Sequence, residues 1–461
     1  MLLDDVLLEI FDFYVVHVDD DPDNYHGKGT IEAWITLAHV CRRWRSVVFQ
    51  SSHRLSLRLD CTPNASVRDT LDIWPPLPLI IRDRFGFYVE PPVDNIIAAP
   101  EHNDRVCQIK LTYSKSYSAA MQKPFPELTV LQLRASDRPG SKLPDSFLGG
   151  TAPRLRSLRL DLVPFPGLGK LLFSATHLVN LVLFILPSWY TPEVMATNLS
   201  ALTSLKSFCL YFTCLRPRTA RRPHLPQLTR SILPSLTKII FQGPSEYLEV
   251  ILARIDAPRL NYLKTTAFFS HIIFDTPQFF RFINQRSTPE AGCIAFLFQK
   301  ITFEFRSQTS DCDVLSVRRQ CVVSEWQLES LEQVRTSSLL PVSTLEDLYI
   351  FEDRSYPLRS QDDIINTQWL DLLRSFVALK NLYISEKFAP HIALAMQGLA
   401  GGRMTEVLPT LEDIFLEGYQ PPGPFHEGIE KFVAARRLTS HPVAVSRYDG
   451  GSKQILHEWI I

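Results

Sequence analysis

Leu155-Arg156-Ser157-Leu158-Arg159-Leu160 is followed, 23 residues later, by Leu178-Val179-Asn180-Leu181-Val182-Leu183. Both stretches read L-x-x-L-x-L. In an extended chain successive side chains point to opposite faces, so the last two leucines share one face and the residue between them takes the other. With Ile, Val, Phe or once Thr admitted, the template begins ten times, at Val106, Leu128, Leu155, Leu178, Leu205, Leu236, Leu260, Leu345, Leu379 and Leu411. Successive starts lie 22 to 34 residues apart, except for one gap of 85. That gap has room for two degenerate copies, with Ile301-Thr302-Phe303-Glu304-Phe305 as the expected strand inside it.

Five copies are announced by Pro-x-Leu, at Pro126, Pro153, Pro234, Pro258 and Pro409. Proline has no N–H and disfavours helix in the residue before it, so it ends one element and admits an extended one. Helix-period segments lie between copies: Gly167 to Ser174, Pro192 to Leu202, Ser245 to Ile255, Ile364 to Val377, Ala389 to Leu399 and His426 to Arg436. Each unit is therefore expected to be a short strand, a turn and a helix. No such unit buries its own apolar face, so the units must stack.

This is the leucine-rich-repeat signature in a loosened form. The motif's next landmark, an asparagine three residues after the last leucine, is absent; Ser136, Val163, Leu186, Thr213 and Pro244 stand there. The fold class expected is α/β: a helical head, then an irregular leucine-rich-repeat solenoid with parallel strands on a concave face and helices on a convex one. The boundaries read from the sequence are a head at 1–52, a connecting segment with short strands at 53–100, repeats at 101–417, and a carboxy-terminal cap and tail at 418–461.

Composition fits that frame. Of 461 residues, 48 are Lys or Arg and 49 Asp or Glu, a formal charge of −1. A near-neutral surface gives no electrostatic footprint for nucleic acid or an anionic membrane. The 33 prolines and 18 glycines reverse their usual order of abundance. Frequent chain breaks without flexible hinges suit repeated turns in a rigid frame. Asp4 and Asp5 stand where a secretory leader carries cations, and the longest apolar stretch, Leu178 to Leu186, is far short of a membrane span. A cytoplasmic or nuclear location is expected. The eight cysteines form no Cys-x-x-Cys pair, so free, mostly buried thiols are the default reading.

Residues 3 to 15 carry Leu3, Leu7, Ile10 and Tyr14 at helical spacing, widened by Val6 and Phe11. A second helix is expected to place Leu37, Val40, Trp44 and Val47 on one face and Ile31, Trp34, Ala38 and Cys41 on another. A helix apolar on two faces touches two bodies. The phrase Leu2-Leu3-Asp4-Asp5-Val6-Leu7-Leu8-Glu9-Ile10-Phe11, with Leu37-Ala38-His39-Val40-Cys41-Arg42-Arg43-Trp44-Arg45, resembles the F-box, which opens Leu-Pro-x-(Asp/Glu)-hydrophobic and closes Val-Cys-(Arg/Lys)-x-Trp. Leu3 stands at the family's proline, and the stretch between the two motifs is longer than in a compact F-box. The whole chain also resembles a fungal group that joins such a head to leucine-rich-type repeats. Leu143-Pro144-Asp145-Ser146-Phe147-Leu148-Gly149-Gly150 and Glu246-Tyr247-Leu248-Glu249 add to that likeness.

The resemblance implies that the head docks on a Skp-type adaptor and, through it, on the cullin of a ubiquitin ligase, while the repeats hold a target protein. Carried over residue by residue, Leu2, Leu3, Val6, Ile10 and Phe11 would line the adaptor interface, and Val40, Cys41 and Trp44 would pack the head. The alternative function is a leucine-rich interaction scaffold whose first helices merely cap the repeats. Strand alternation places Gln132, Arg159, Val182, Cys209, Ile240, Lys264, Tyr349, Tyr383 and Phe415 on one outward row, polar early and aromatic late. Exposed Tyr and Phe on a rigid surface are typical protein-binding anchors.

Signals for chemistry are weak. Asp19, Asp21 and Asp23 open like a calcium loop, but Asn24 and Thr30 replace its glycine and glutamate. Gly167-Leu168-Gly169-Lys170 lacks the first glycine and the Ser or Thr of a phosphate loop. The clusters Arg42, Arg43, Arg45 and Arg216, Arg218, Arg221, Arg222 read as solvated faces, and Asn64-Ala65-Ser66 and Asn198-Leu199-Ser200 as idle sequons. No catalytic residue, metal ligand or cofactor is expected, nor any nucleic-acid or membrane partner.

Overall fold

The computed structural model describes residues 3–14, 33–62, 67–83, 98–114, 117–135, 142–186, 189–213, 230–268, 278, 291–297, 300–306, 314–320, 342–352, 366–386, 388–397, 406–417 and 427–448. Two compact units divide the chain: Met1–Trp189 with Thr197–Leu205, and Tyr190–Ala196 with Lys206–Ile461.

The first unit opens with three helices, α1 (Asp4–Tyr14), α2 (Ala33–Val40) and α3 (Arg42–Gln50). The single second helix expected from the sequence is two. Cys41 breaks it with an extended backbone at φ −160°, and its Sγ accepts the N–H of Trp44 as the cap of α3. That use leaves the Cys41 thiol exposed, whereas Cys61 and Cys209 are buried as expected. Burial pushes the Cys61 thiol up to about 12, out of reach of thiolate chemistry at neutral pH.

Six parallel strands follow in simple order: β1 (Leu59–Cys61), β2 (Leu79–Arg82), β3 (Val106–Tyr113), β4 (Val130–Ala135), β5 (Ser157–Asp161) and β6 (Asn180–Ile185). The helices α4 (Val67–Ile73) and α5 (Leu168–Ser174) lie on connections between them. Because β1 and β2 belong to the same ladder, the repeats already begin at Leu59, within the stretch expected to be a connecting segment. Gly167 caps α5, so the glycine pair read near Lys170 serves a turn into a helix.

The second unit holds β7 (Ser207–Phe212), β8 (Ser231–Ile232), β9 (Lys238–Pro244), β10 (Ile255–Asp256) and β11 (Tyr262–Phe268), then β12 (Ala291–Leu297), β13 (Lys300–Arg306) and β14 (Val314–Gln320), and last β15 (Asp347–Glu352), β16 (Asn381–Ile384), β17 (Asp413–Glu417) and β18 (Ala444–Tyr448). The order β7-β9-β11-β14-β13-β12-β15-β16-β17-β18 forms its sheet, with β8 and β10 as a separate parallel pair. The gap of 85 residues is therefore not two more copies. It holds a meander in which β13, the expected strand at 301–305, runs antiparallel to both β12 and β14. Two reversals cancel, so β15 runs parallel to β12 and the repeat direction resumes.

The helices α6 (Pro192–Ser200), α7 (Ser245–Arg254), α8 (Asn366–Leu373), α9 (Ala389–Gln397) and α10 (Glu427–Leu438) match the expected segments to within a few residues. With β18 parallel to β17, residues 427–448 make another helix-strand unit in place of a bare cap. The buried Arg436 of α10 ties that unit on, donating Nη2 to the carbonyls of Leu408 at 3.3 Å, Pro409 at 3.1 Å and Leu411 at 3.4 Å. Asn198 of the second sequon is buried in α6.

The prolines have a specific duty. In all five Pro-x-Leu copies the leucine N–H donates to the carbonyl just before the proline: Leu128 to Phe125, Leu155 to Ala152, Leu236 to Leu233, Leu260 to Ala257 and Leu411 to Leu408. Proline thus sits second in a four-residue turn, where its fixed φ is favourable. In four of the five the leucine then drops into the core, Leu128, Leu155, Leu236 and Leu411 being buried, while Leu260 is half-buried; the first leucines of other copies, Leu178, Leu205, Leu345 and Leu379, are fully buried as well. The next two N–H groups both reach back to one carbonyl of the preceding repeat, as Arg156 and Ser157 do to Thr129 and Glu412 and Asp413 do to Lys380. The chain is a mixed α/β protein of stacked leucine-rich-type repeats.

Asp83, just after β2, is 5% exposed and accepts the Thr112 N–H at 2.6 Å. Burial pushes its carboxyl above the ordinary range, against the opposing pull of the Thr112 bond. The folded state therefore holds this proton more tightly than the unfolded one. Its contribution to stability falls as pH rises from about 4, the unfolded Asp value, through the folded value. Asp83→Asn keeps the acceptor for Thr112 and removes that slope. Thermal melts between about pH 4 and pH 7 should decline less with pH for the variant than for the parent; parallel curves would contradict the assignment.

Candidate functional site

Two kinds of surface emerge: a helix face on the first unit, and an outward row of strand residues described for each unit by itself. On α1, each residue advances about 100° around the axis, so Leu3, Val6, Ile10 and Phe13 line one stripe while Leu7 and Phe11 line the next. The second stripe is sealed. Leu7 and Phe11 are buried, and the Phe11 ring meets Trp44 of α3 edge-on with centroids 4.9 Å apart. Asp4 pairs with Arg43 at 2.7 Å and Glu9 with Arg54 at 2.5 Å, tying down the start and the middle of the helix. Arg45 donates to the Ala38 carbonyl at 2.9 Å, joining α3 to α2. Two of the three arginines read as a solvated cluster therefore hold the head together.

The first stripe is open. Leu3 is 72% exposed, Val6 42%, Ile10 46% and Phe13 87%, with Tyr14 beside them at 51%. Burying such a side chain is worth about 1.5–3 kcal/mol each, so this face is costly to leave wet. Of the residues expected at an adaptor interface, Leu3, Val6 and Ile10 stand on it, Phe11 does not, and Leu2 lies outside the described residues. Phe11 belongs to the core because its position falls on the α3 side. Of the expected packing residues, Trp44 does pack. Val40 does not: it ends α2 and is 56% exposed. Phe13 was missed, although its spacing of three from Ile10 and seven from Val6 places it on the stripe.

The other helices of the head are covered differently. Trp34 of α2 and Phe49 of α3 both meet Trp74 edge-on, at 5.2 Å and 6.2 Å, and His39 joins them at 5.7 Å. This cluster fastens α2 and α3 to the segment leading into β2.

The second surface is the outward row of the strands. In the first unit the register aligns Lys110, Gln132, Arg159 and Val182. Gln132, expected to be open, is only 4% exposed and offers no contact surface. Arg159 is held by Asp161 at 3.0 Å and lies 5.3 Å over the Phe184 ring. Val182 is half-buried.

In the second unit one row runs through Cys209, Ile240 and Lys264, and another part of it through Tyr349, Tyr383, Phe415 and Ser446. Cys209 is buried, a second departure from the expected open row, while Ile240 and Lys264 are half-buried. The aromatic part is built tightly. Tyr349 and Tyr383 stack at 4.1 Å and 8°, and Tyr383 and Phe415 at 4.5 Å and 9°. Tyr448 closes on Tyr383 edge-on at 5.5 Å. Parallel strands about 4.8 Å apart set this spacing, since identical positions on adjacent strands stand one ring thickness apart. Burial raises the phenols of Tyr349 and Tyr383, and the Tyr383 hydroxyl beside it raises Tyr349 further. Both remain protonated donors at neutral pH.

Two residues earlier on the same faces stand Asp347, Asn381 and Asp413. Asn381 donates to Asp347 at 2.7 Å. These acids were missed from the sequence, although the alternation that selected the rings selects them too.

No protein-family model matches the chain, and no curated protein matches it. Among solved structures it is similar to the leucine-rich-repeat-containing protein LegL7 from Legionella pneumophila. Identity is 12% over 84% of this chain and 99% of that one, with a TM-score of 0.28. At that score the repeat assignment rests on this chain's own strand ladder and buried leucines, not on the neighbour. Among the described residues no group of three His, Cys, Asp or Glu is placed to hold a metal ion, and no helix is long and apolar enough to cross a membrane.

Proposed function

We propose that the chain is the substrate-recognition subunit of a Skp–cullin–F-box type ubiquitin ligase. The observation that carries this reading is the open stripe Leu3, Val6, Ile10 and Phe13 on a helix whose adjoining face is already sealed by Trp44. An apolar stripe at helical spacing on a fixed helix fits a partner that lays its own apolar surface along it. The Skp-type adaptor docks there and links the chain to the cullin, and the strand face holds the target. The chain supplies no chemical step. Its contribution is effective concentration, which turns ubiquitin transfer from a bimolecular encounter into a nearly unimolecular one.

The test is co-elution of the purified chain with a purified Skp-type adaptor. Phe11→Asp is unsuitable because it strikes the core. Val6→Asp/Ile10→Asp changes only the open stripe, so the melt should hold while binding falls at least about 100-fold, the effect of burying uncompensated charge. Tyr383→Ala should bind the adaptor as the parent does.

A second reading is a leucine-rich interaction scaffold with no part in ubiquitin transfer. It is favoured by the Trp34, Phe49 and Trp74 cluster, since helices fastened to the first strands can serve as a cap. Failure of the parent chain to retain the adaptor would sink the ligase reading and leave this one.

A further inference from the structure

The strands β15, β16 and β17 carry two parallel rows on one face. Tyr349, Tyr383 and Phe415 form the aromatic row, and Asp347, Asn381 and Asp413 the polar one. Their separation along the strand is two residues, or about 6.6 Å. In the turns just before the strands, Glu346 pairs with Lys380 at 2.9 Å, and Glu412 adds a further acid. Lys380 is thus committed to acids of the turns, and the face itself carries the two carboxylates Asp347 and Asp413.

The rings are stacked face to face, so each inner face is covered by its neighbour. What the ladder offers outward is a narrow ridge of ring edges, those of Tyr349 and Phe415 flanking Tyr383, against which Tyr448 lies at 5.5 Å; it is unsuited to a flat ligand that must stack. It suits a long aliphatic stem laid across the edges, with a cationic head at its end. Lys and Arg side chains have that construction: an apolar stem about as long as the distance between the rows, ending in charge. The Asn381 amide holds Asp347 in a set orientation, so the acceptor for that head is preformed. Asp347 and Asp413 stand on the strands either side of Tyr383, two residues before Tyr349 and Phe415 on the same face, so they flank the ring ladder.

We propose that this aromatic-acidic face binds a lysine- or arginine-bearing segment of a partner protein, laid across β15 to β17. The inference rests on the reading of the strand face as the target surface, and it names the chemistry of that target. It does not depend on the adaptor or on ubiquitin.

The test is selection of a displayed library of random short peptides against the full chain, counter-selected with the Asp347→Asn/Asp413→Asn variant. Recovered sequences should be enriched in Lys or Arg. Their affinity should fall about tenfold in Asp347→Asn/Asp413→Asn, fall again in Tyr383→Ala, and weaken with added salt. The circular dichroism melt of Asp347→Asn/Asp413→Asn should match the parent, whereas Tyr383→Ala, which removes the middle ring of the stack, should melt lower but still cooperatively. Recovery of acidic or neutral sequences, of no sequence, or of basic peptides indifferent to Asp347→Asn/Asp413→Asn would overturn the proposal. Peptide capture is read without adaptor, and Val6→Asp/Ile10→Asp should leave it unchanged, so failure of the ligase reading and failure of this one are separate results.

Discussion

Phe11→Ala is expected to lower stability by about 3–5 kcal/mol, the range for removing a large aromatic from a closed core. Phe11 is fully buried, and its ring sits edge-on to Trp44 at 4.9 Å, a geometry worth about 0.5–1.5 kcal/mol beyond the area it hides. Two residues on, Phe13 is 87% exposed. Phe13→Ala should change stability by no more than about 0.5 kcal/mol. Urea unfolding followed by tryptophan fluorescence separates them: the midpoint moves to lower urea for Phe11→Ala and stays for Phe13→Ala. The pair is informative because the helical spacing alone assigns both residues to apolar faces. Only packing decides which face is core and which is offered outward. Similar losses from the two variants would mean that the open stripe is itself packed, and the docking argument would fail.

The second large effect concerns Gly428, near the start of α10. Alanine in a helix is normally better than glycine by about 1 kcal/mol. Here the added Cβ would stand 2.4 Å from the Ala393 carbonyl oxygen and 2.8 Å from its carbon, both backbone atoms of α9. Backbone cannot swing away as a side-chain tip can, so α9 and α10 must separate. Gly428→Ala is therefore expected to cost about 1–3 kcal/mol, the usual range for overpacking. At Ala434, exposed on the same helix, the ordinary preference returns, and Ala434→Gly should cost about 1 kcal/mol. Thermal melts of the two variants would measure both. A neutral or stabilising Gly428→Ala would show that the two helices are not closely packed.

Most of the repeat architecture was legible because it is written in local terms. L-x-x-L-x-L fixes a strand and its buried face, Pro-x-Leu fixes the turn before it, and 3.6-residue spacing fixes the helices between. What the sequence concealed was pairing between distant segments. Nothing local in residues 291–320 distinguishes a parallel rung from the antiparallel meander that forms there, because strand alternation is the same for both. Short strands such as β1, with three residues, fell below the length at which the template registers. The head was legible as amphipathic, but its division into core and open stripe was not. The apolar arc runs from Leu3 through Phe11, and only the position of α3 tells Phe11 from Ile10. Similarly, alternation names residues that the register aligns on neighbouring strands, while the burial of Gln132 and Cys209 depends on neighbours that alternation does not name. The Cys41 break looked like continuous helix because Cys and its flanking residues carry no Gly or Pro signal.

The open stripe of α1 is proposed to receive another polypeptide. Hydrogen exchange of the full chain, with and without purified Skp-type adaptor, addresses it most directly. Slowed exchange is expected at residues 3–14 on addition of adaptor, with β15 to β17 unchanged. Unaltered exchange across α1, or slowing confined to the strands, would contradict it.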